Sequence, residues 1–83
     1  MEKTYFVYAL YSMAGKRLYI GMSCDIVKRV HAHNAGMTRS TKPYRPWVLI
    51  YEEAVGTRPQ ARAREKFLKS GCGREFLKQF IPG

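Results

Sequence analysis

Two runs of aromatic and apolar side chains near the start of the chain predict a β-hairpin. The first covers residues 5–11 (YFVYALY) and the second covers residues 18–22 (LYIGM), and both are rich in residue types that favour strands. The short connection between them contains Gly15, which is typical of a hairpin loop. A third run with the same character covers residues 47–55 (WVLIYEEAV). The chain is therefore expected to form three strands.

The first predicted helix covers residues 25–35 and follows the hairpin directly. Its apolar positions recur three and four residues apart, which indicates a face packed on a core. Ser23 or Asp25 can cap its first turn, and Gly36 stands where helices commonly end in glycine. Residues 37–46 are polar and basic and include two prolines, so we expect an irregular connection there.

The second predicted helix carries the clearest signal in the chain and lies within residues 57–71. Thr57 and Gln60 have the spacing of a capping box, in which each side chain bonds the other residue's backbone N–H. We expect the Gly-Cys-Gly sequence at residues 71–73 to break the helix, and residues 74–80 to form a short third one. The side chains of this third helix expected to face the core are Phe76, Leu77 and Phe80.

The order of these elements, β-β-α-β-α-α, predicts an α+β fold with a three-stranded antiparallel sheet flanked by helices. A length of 83 residues is that of one domain, and we expect a single domain over residues 1–83.

Charge narrows the class of partner. Fifteen Lys and Arg residues against six Asp and Glu residues give a net charge of +9, and more than half of the cations are Arg, which forms forked hydrogen bonds with phosphate. The excess is spread along the chain, so a nucleic acid is the expected partner. A soluble protein that merely carries surplus Lys is the alternative.

Other features of the sequence bear on the cellular location of the protein and on the state of its cysteines. The N-terminal residues that begin with Met1 and Glu2 lack the apolar segment of an export signal, and no apolar run approaches the ~20 residues of a membrane span. We therefore expect a cytoplasmic protein that does not bind membranes. Cys24 and Cys72 are far apart in sequence and form no CxxC pair, so both are expected to be free thiols.

Acidic residues are too few for the carboxylate cluster that a two-metal nuclease needs. Beyond Glu2, they are Asp25, Glu52, Glu53, Glu65 and Glu75. Any metal site is therefore expected to combine one carboxylate with water and phosphate oxygens. Such a site suits Mg²⁺, which keeps several of its waters.

Two pairs of residues are candidates for chemistry, and each has a simpler interpretation. Arg29 and His33 lie four residues apart on the first helix and can meet a phosphate together, or they can be a solvated surface pair. Tyr8 and Tyr19 lie in the two arms of the hairpin, where they can act as acid or base beside a cation, or simply pack with their hydroxyls in water. His31 falls on another helix face and is expected to be solvated.

These residues, taken in order, resemble the GIY-YIG nuclease superfamily. The resemblance rests on residues 6–8 (FVY), 19–21 (YIG), Arg29-x-x-x-His33-Asn34, and Glu65. It covers nearly the whole chain, including the closing residues 68–78. The chain is similar to small stand-alone bacterial members related to the nuclease domain at the N-terminus of bacterial excinuclease. It departs from the family at Phe6, which replaces a Gly, and at Met22, where some relatives carry a Lys.

The resemblance implies metal-dependent hydrolysis of a DNA phosphodiester bond. It implies that Glu65 holds a single Mg²⁺ or Mn²⁺ ion, that Arg29 steadies the phosphate, and that Tyr8 or Tyr19 helps to activate water. His33 occupies a position where relatives place a Tyr or His close to the scissile group. No small-molecule cofactor is expected, and DNA repair is a pathway consistent with the resemblance.

The substrate is expected to be recognised by shape, because no sequence-reading module is present. The expected substrate is single-stranded or branched DNA, and RNA is left open. Tyr44 and Trp47 can stack on unpaired bases, or Trp47 can belong to the core instead. The residues expected to bind the nucleic acid are Lys28, Arg29, Arg39, Lys42, Arg45 and Arg74. A catalytically inactive nucleic-acid-binding module and a basic protein-interaction module are the alternatives. Oligomeric state is left open.

Overall fold

The computed structural model describes residues 3–83. Met1 and Glu2, which begin the segment expected to lack an export signal, lie outside the described residues. The predicted order β-β-α-β-α-α and the α+β class are confirmed. The elements are β1 (Tyr5–Ser12), β2 (Arg17–Ser23), α1 (Ile26–Asn34), β3 (Trp47–Gly56), α2 (Arg58–Lys69) and α3 (Gly71–Leu77).

The three strands form one antiparallel sheet in the order β2-β1-β3. The central strand β1 is covered on both faces, which explains why its sequence is almost continuously apolar instead of alternating. Val7 and Ala9 point to one face, while Tyr8 and Leu10 point to the other, and all four are fully buried.

Each face of the sheet supports its own small core. Helices α2 and α3 cover one face, where the buried residues are Val7, Ala9, Ile20, Ala61, Leu68 and Leu77. Helix α1 and the segment that follows it cover the other face, where the buried residues are Tyr8, Leu10, Ile26 and Trp47. The two faces of the sheet therefore differ, since Tyr8, Tyr19 and the first helix all lie on the same face.

The caps predicted for the first two helices are present. Asp25, and not Ser23, caps α1 by accepting a 3.1 Å hydrogen bond from the backbone N–H of Lys28. Gly36 follows the helix with a φ of +80°, a conformation that glycine adopts without strain. Both hydrogen bonds of the Thr57–Gln60 capping box form at the start of α2.

The predicted break at residues 71–73 is wrong, because α3 already begins at Gly71. Ser70 ends α2 and caps α3, and its side chain accepts a hydrogen bond from the N–H of Gly73. Gly73 faces the backbone of Phe67 and Leu68 so closely that no Cβ fits there. The glycines therefore allow two helices to meet tightly and do not interrupt them.

The end of the third helix also differs from the prediction. Helix α3 stops at Leu77, and residues Lys78–Phe80 form a turn of 3-10 helix. Leu77 is buried as expected, but Phe76 and Phe80 are each 38% exposed. Their rings pack against each other and against Tyr51, with centroids 5.2 to 5.5 Å apart, because at the margin of so small a core they are covered on one side only.

The connection between α1 and β3 is more ordered than its prolines suggested. It contains a 3-10 turn at Lys42–Tyr44, and Thr41 just before it is 1% exposed. The indole N–H of Trp47 donates a 2.8 Å hydrogen bond to the carbonyl oxygen of Thr41. Among residues 3–83, no helix has the length and apolar character needed to cross a membrane.

Candidate active site

The two candidate tyrosines lie on neighbouring strands and on the α1 face of the sheet. Tyr8 pairs directly with Gly21 across the β1–β2 ladder, and the Tyr8 and Tyr19 ring centroids are 6.4 Å apart. A Cβ on Gly21 would lie only 2.7 Å from the Tyr8 hydroxyl oxygen. Gly21 is thus required because the Tyr8 phenol lies directly over the backbone of β2.

Helix α1 brings the predicted Arg29 and His33 to these tyrosines. The His33 ring lies 4.7 Å from the Tyr19 ring, centroid to centroid, and its Nε2 atom is 3.3 Å from the Tyr8 hydroxyl. His33 is fully buried, whereas Arg29 is exposed, and the phenols of Tyr8 and Tyr19 raise the pKa of its guanidinium. The four predicted residues of the hairpin and first helix therefore form one cluster, and the solvated-pair interpretation fails for His33. His31 is exposed, as expected.

Thr41 is a member of this cluster that the sequence did not reveal. Its Oγ1 atom lies 2.9 Å from Nδ1 of His33, and its hydroxyl donates a 3.3 Å hydrogen bond to the carbonyl oxygen of Thr38. A threonine in a polar, basic connection carries no sequence signal of burial. Only the folding of this segment onto the sheet places Thr41 under the imidazole.

Burial and the charge of Arg29 set the protonation states. Burial raises the pKa of Tyr8, hydrogen bonding from Arg29 opposes this, and the charges of Tyr19 and Glu65 add to the rise. Burial also lowers the pKa of His33, and the positive charge of Arg29 lowers it further. Hydrogen bonding with Tyr8 raises the pKa of Arg29. At neutral pH the site holds a neutral phenol, a neutral imidazole and a guanidinium.

These protonation states give the hydrogen bonds a direction. The neutral Tyr8 phenol has a single proton, which it can donate to Nε2 of His33. A neutral imidazole then carries its only proton on Nδ1, and that N–H donates to Thr41, whose own proton is directed to Thr38. A chain of donors thus runs from the Tyr8 phenol through His33 and Thr41 to the carbonyl oxygen of Thr38.

Glu65 is on α2, which packs on the opposite face of the sheet. Its charge acts on the Tyr8 phenol and contributes to the raised pKa of Tyr8. The Glu65 side chain is only 17% exposed, and its carboxylate pairs with Lys69 at 3.4 Å. Within residues 3–83, no three His, Cys, Asp or Glu side chains converge on a possible metal position. A lone carboxylate fits a hard cation that keeps most of its waters.

The residues predicted to bind nucleic acid are all exposed, but they are not all in one place. Lys28 and Arg29 are on α1, and Arg39, Lys42 and Arg45 follow it on the same side of the sheet. Arg74 lies apart from them on α3, against the end of the hairpin.

Three other residues singled out in the sequence have structural positions. Trp47 is 5% exposed and belongs to the core, so it is not available for stacking on bases. Tyr44 is half-buried beneath the guanidinium of Arg17, whose Cζ atom is 4.3 Å from the ring centroid. Met22 packs on the α2–α3 face, opposite the tyrosines.

The fold defines a catalytic domain of the nuclease class, which acts on nucleic acid. The GIY-YIG catalytic domain matches residues 4–75, and the chain belongs to the GIY-YIG family. Nucleases of this family generally use divalent metal ions.

The chain is also similar to UPF0213 proteins of staphylococci, which form a small stand-alone GIY-YIG group. It is 36% identical to one from Staphylococcus saprophyticus over 84 aligned positions that cover 100% of both chains. It is 37% identical to one from Staphylococcus aureus over 68 positions, which cover 81% of this chain and 82% of the relative. No solved structure matches the chain.

Proposed function

We propose that this protein is a metal-dependent endonuclease, a single domain over residues 1–83, that hydrolyses phosphodiester bonds in single-stranded or branched DNA. The observation that carries the proposal is the clustering of Tyr8, Tyr19 and His33, which come from three different elements of a GIY-YIG domain. A cytoplasmic role in DNA repair is consistent with this activity, and no small-molecule cofactor is needed for it.

The difference in burial between the two tyrosines supports separate roles for them. Tyr19 is partly exposed, so it is the phenol that can meet the substrate and orient an attacking water by a hydrogen bond. Tyr8 is fully buried and keeps its proton, so it holds His33 in position through the 3.3 Å hydrogen bond to Nε2. His33 in turn forms the floor of the site below Tyr19.

Charge stabilisation falls to Arg29 and Glu65. The guanidinium of Arg29 is exposed, stays protonated, and can form two hydrogen bonds to the phosphoryl oxygens as negative charge builds up on them. Glu65 would hold Mg²⁺ or Mn²⁺, which supplies Lewis acidity to the phosphate. Lys69, the ion-pair partner of Glu65, would be free to contact the nucleic acid once a cation binds that carboxylate.

The exposed cations around the site support nucleic acid as the substrate. Lys28, Arg39, Lys42 and Arg45 flank the α1 side of the cluster and offer contacts to phosphates without reading the bases. Such contacts suit recognition by shape or strandedness, and RNA remains an alternative substrate of the same chemistry.

A catalytically inactive nucleic-acid-binding module of the same fold is the second candidate. Met22, which replaces a Lys of some relatives, favours it, because its side chain packs in the core and supplies no charge to the site. The two candidates differ in one measurable respect, which is turnover.

Cleavage of labelled single-stranded, duplex and branched DNA with Mg²⁺ or Mn²⁺ separates them. We expect wild-type protein to cut, and Glu65→Gln to lose cutting while its DNA affinity, measured without metal, stays within about threefold of wild type. Glu75→Gln is the matched control, because Glu75 carries the same charge and is exposed on α3, which packs on the sheet face opposite the tyrosines. Binding without cutting on every substrate would favour the inactive module, and cutting by Glu65→Gln would remove Glu65 from the site.

A further inference from the structure

A basic concavity separate from the candidate active site lies at the loop end of the β-hairpin. It is a cavity of about 460 Å³ between the end of the hairpin and the C-terminal helix, and we call it the hairpin pocket. Its lining residues are Tyr11, Lys16, Arg17, Leu18, Arg74, Lys78 and Ile81. None of the tyrosines, histidine or glutamate of the candidate active site lines it.

The lining of the hairpin pocket carries four cations and no carboxylate. One of these cations, Lys78, pairs with the carboxylate of Glu75 at 3.0 Å. Both side chains of that pair are mostly exposed, 62% for Lys78 and 72% for Glu75, so the pair is weak and easily replaced by a stronger anion. Four converging positive charges repel one another, and a bound anion relieves that repulsion.

Local structure holds these cations around the cavity. The backbone N–H of Lys16 donates a 2.8 Å bond to Ser12, which closes the hairpin turn. Arg74 donates from Nε to the carbonyl oxygen of Lys69 at 3.1 Å, so its terminal amino groups remain available. Arg17 is stacked on Tyr44. The arrangement is therefore partly preorganised for an anion.

Arg17 joins the pocket to the active-site face. It lies two residues before Tyr19 on β2, a separation of roughly 7 Å along a strand. Its contact with Tyr44 also places it beside the turn that contains Lys42. Positive charge thus continues from the α1 side, past Arg17, into the pocket.

We propose that the hairpin pocket binds a backbone phosphate of the same nucleic acid, at a distance from the phosphate that is cut. The proposal rests on the nucleic-acid substrate of the proposed function, but not on turnover. The ligand is a phosphate group, which Arg binds through forked hydrogen bonds and Lys as a point charge. Leu18 and Ile81 offer apolar contact to the adjoining sugar. The pocket extends the grip of a small domain beyond its active site.

The test is the salt dependence of binding to a fluorescent single-stranded oligonucleotide, measured by anisotropy with EDTA present. The pocket variant is Lys16→Gln with Lys78→Gln, and the matched control is Arg58→Gln with Arg62→Gln, which removes two exposed cations of α2 that do not line the pocket. We expect the pocket variant to weaken binding roughly tenfold at low salt. The magnitude of its slope of log affinity against log salt concentration should decrease by about 0.7, the value for one lost phosphate contact on a single strand.

The control should keep the wild-type slope. Equal changes in both double variants would overturn the proposal, because they would show only the effect of net charge. The source of the phosphate is tested by NMR of the Leu18 and Ile81 methyl groups. Chemical-shift changes on adding the oligonucleotide support the proposal. Changes on adding inorganic phosphate, with none on adding the oligonucleotide, would overturn it in favour of a small anion. A protein that passes these tests but does not cut DNA would refute the proposed function and leave the pocket assignment standing.

Discussion

At the scale of single residues, the active-site cluster is organised by proton donors and acceptors more than by net charge. Tyr8 and His33 are fully buried and neutral, the Tyr8 hydroxyl bonds to His33, and both ring nitrogens of His33 have partners. Burying such groups is tolerated because their hydrogen bonds are satisfied. Their role is therefore to fix Arg29 and Tyr19, which meet the solvent.

Thr41 is expected to fix the tautomer of His33. With the hydroxyl present, the imidazole proton is on Nδ1, and Thr41→Val should remove the acceptor and shift the proton toward Nε2. The ¹⁵N chemical shifts of the two ring nitrogens report this directly. Thr41→Ser keeps the hydroxyl and should keep the wild-type shifts. Identical nitrogen shifts in the Val and Ser variants would show that Thr41 does not control the tautomer.

His33 also makes the stability of the fold depend on pH. Its pKa in the folded protein is lowered, so between that pKa and the unfolded value of about 6.5 the unfolded chain binds more protons. The stabilisation is complete above about pH 6.5 and is lost as the pH falls through that window. We expect the free energy of unfolding in urea to decrease from pH 7.5 to pH 5.5 in wild-type protein.

Two variants isolate the contribution of His33 to this pH dependence. His31→Gln removes an exposed histidine two residues away and should leave the dependence unchanged. His33→Gln should flatten it. If that variant does not fold, the pKa of His33 is measured directly by NMR titration of the wild-type protein. A pKa at or above the ordinary value would contradict the prediction.

At the scale of secondary-structure elements, two close approaches of backbone position the site. Gly21 admits the Tyr8 phenol over β2, and Gly73 admits α3 against the last turn of α2. The second approach secures α2, the helix that carries Glu65. Close packing of short helices thus compensates for the small core of an 83-residue chain.

Gly73→Ala is expected to lower the free energy of unfolding by about 1–3 kcal/mol, because its methyl group would overlap the Phe67 carbonyl and the Leu68 backbone. Gly71→Ala is the matched control, since a Cβ at residue 71 meets nothing within 4 Å and should change stability by less than about 0.5 kcal/mol. Urea denaturation measures both. Equal stability of the two variants would mean that α3 shifts away without cost.

At the scale of the whole molecule, the sheet separates two cores and also separates two kinds of surface. The α1 side exposes the candidate active site with its flanking cations, and the hairpin end exposes the hairpin pocket. The net charge of +9 is therefore distributed around the molecule, and a flexible single strand can follow it.

Affinity for a single-stranded oligonucleotide is expected to fall steeply with salt. If about four phosphates are contacted, raising the salt from 50 to 200 mM should weaken binding roughly 50-fold. Anisotropy titrations with EDTA present measure this, with a duplex of equal length compared in parallel. Salt-insensitive binding would favour a protein-interaction module, and equal affinity for duplex and single strand would argue against recognition by strandedness.

The sequence alone determined the element order, the capping box of the second helix and the family, and it narrowed the first cap to Ser23 or Asp25, because strand-forming runs, capping residues and motif spacing are local properties. It was wrong at residues 71–73, where local glycine propensity predicted a break and helix packing required the same glycines. The tertiary structure decided which tyrosine is buried, that Thr41 supports His33, and that cations distant in sequence share one pocket. These features depend on contacts between segments far apart in the chain, which no local pattern encodes.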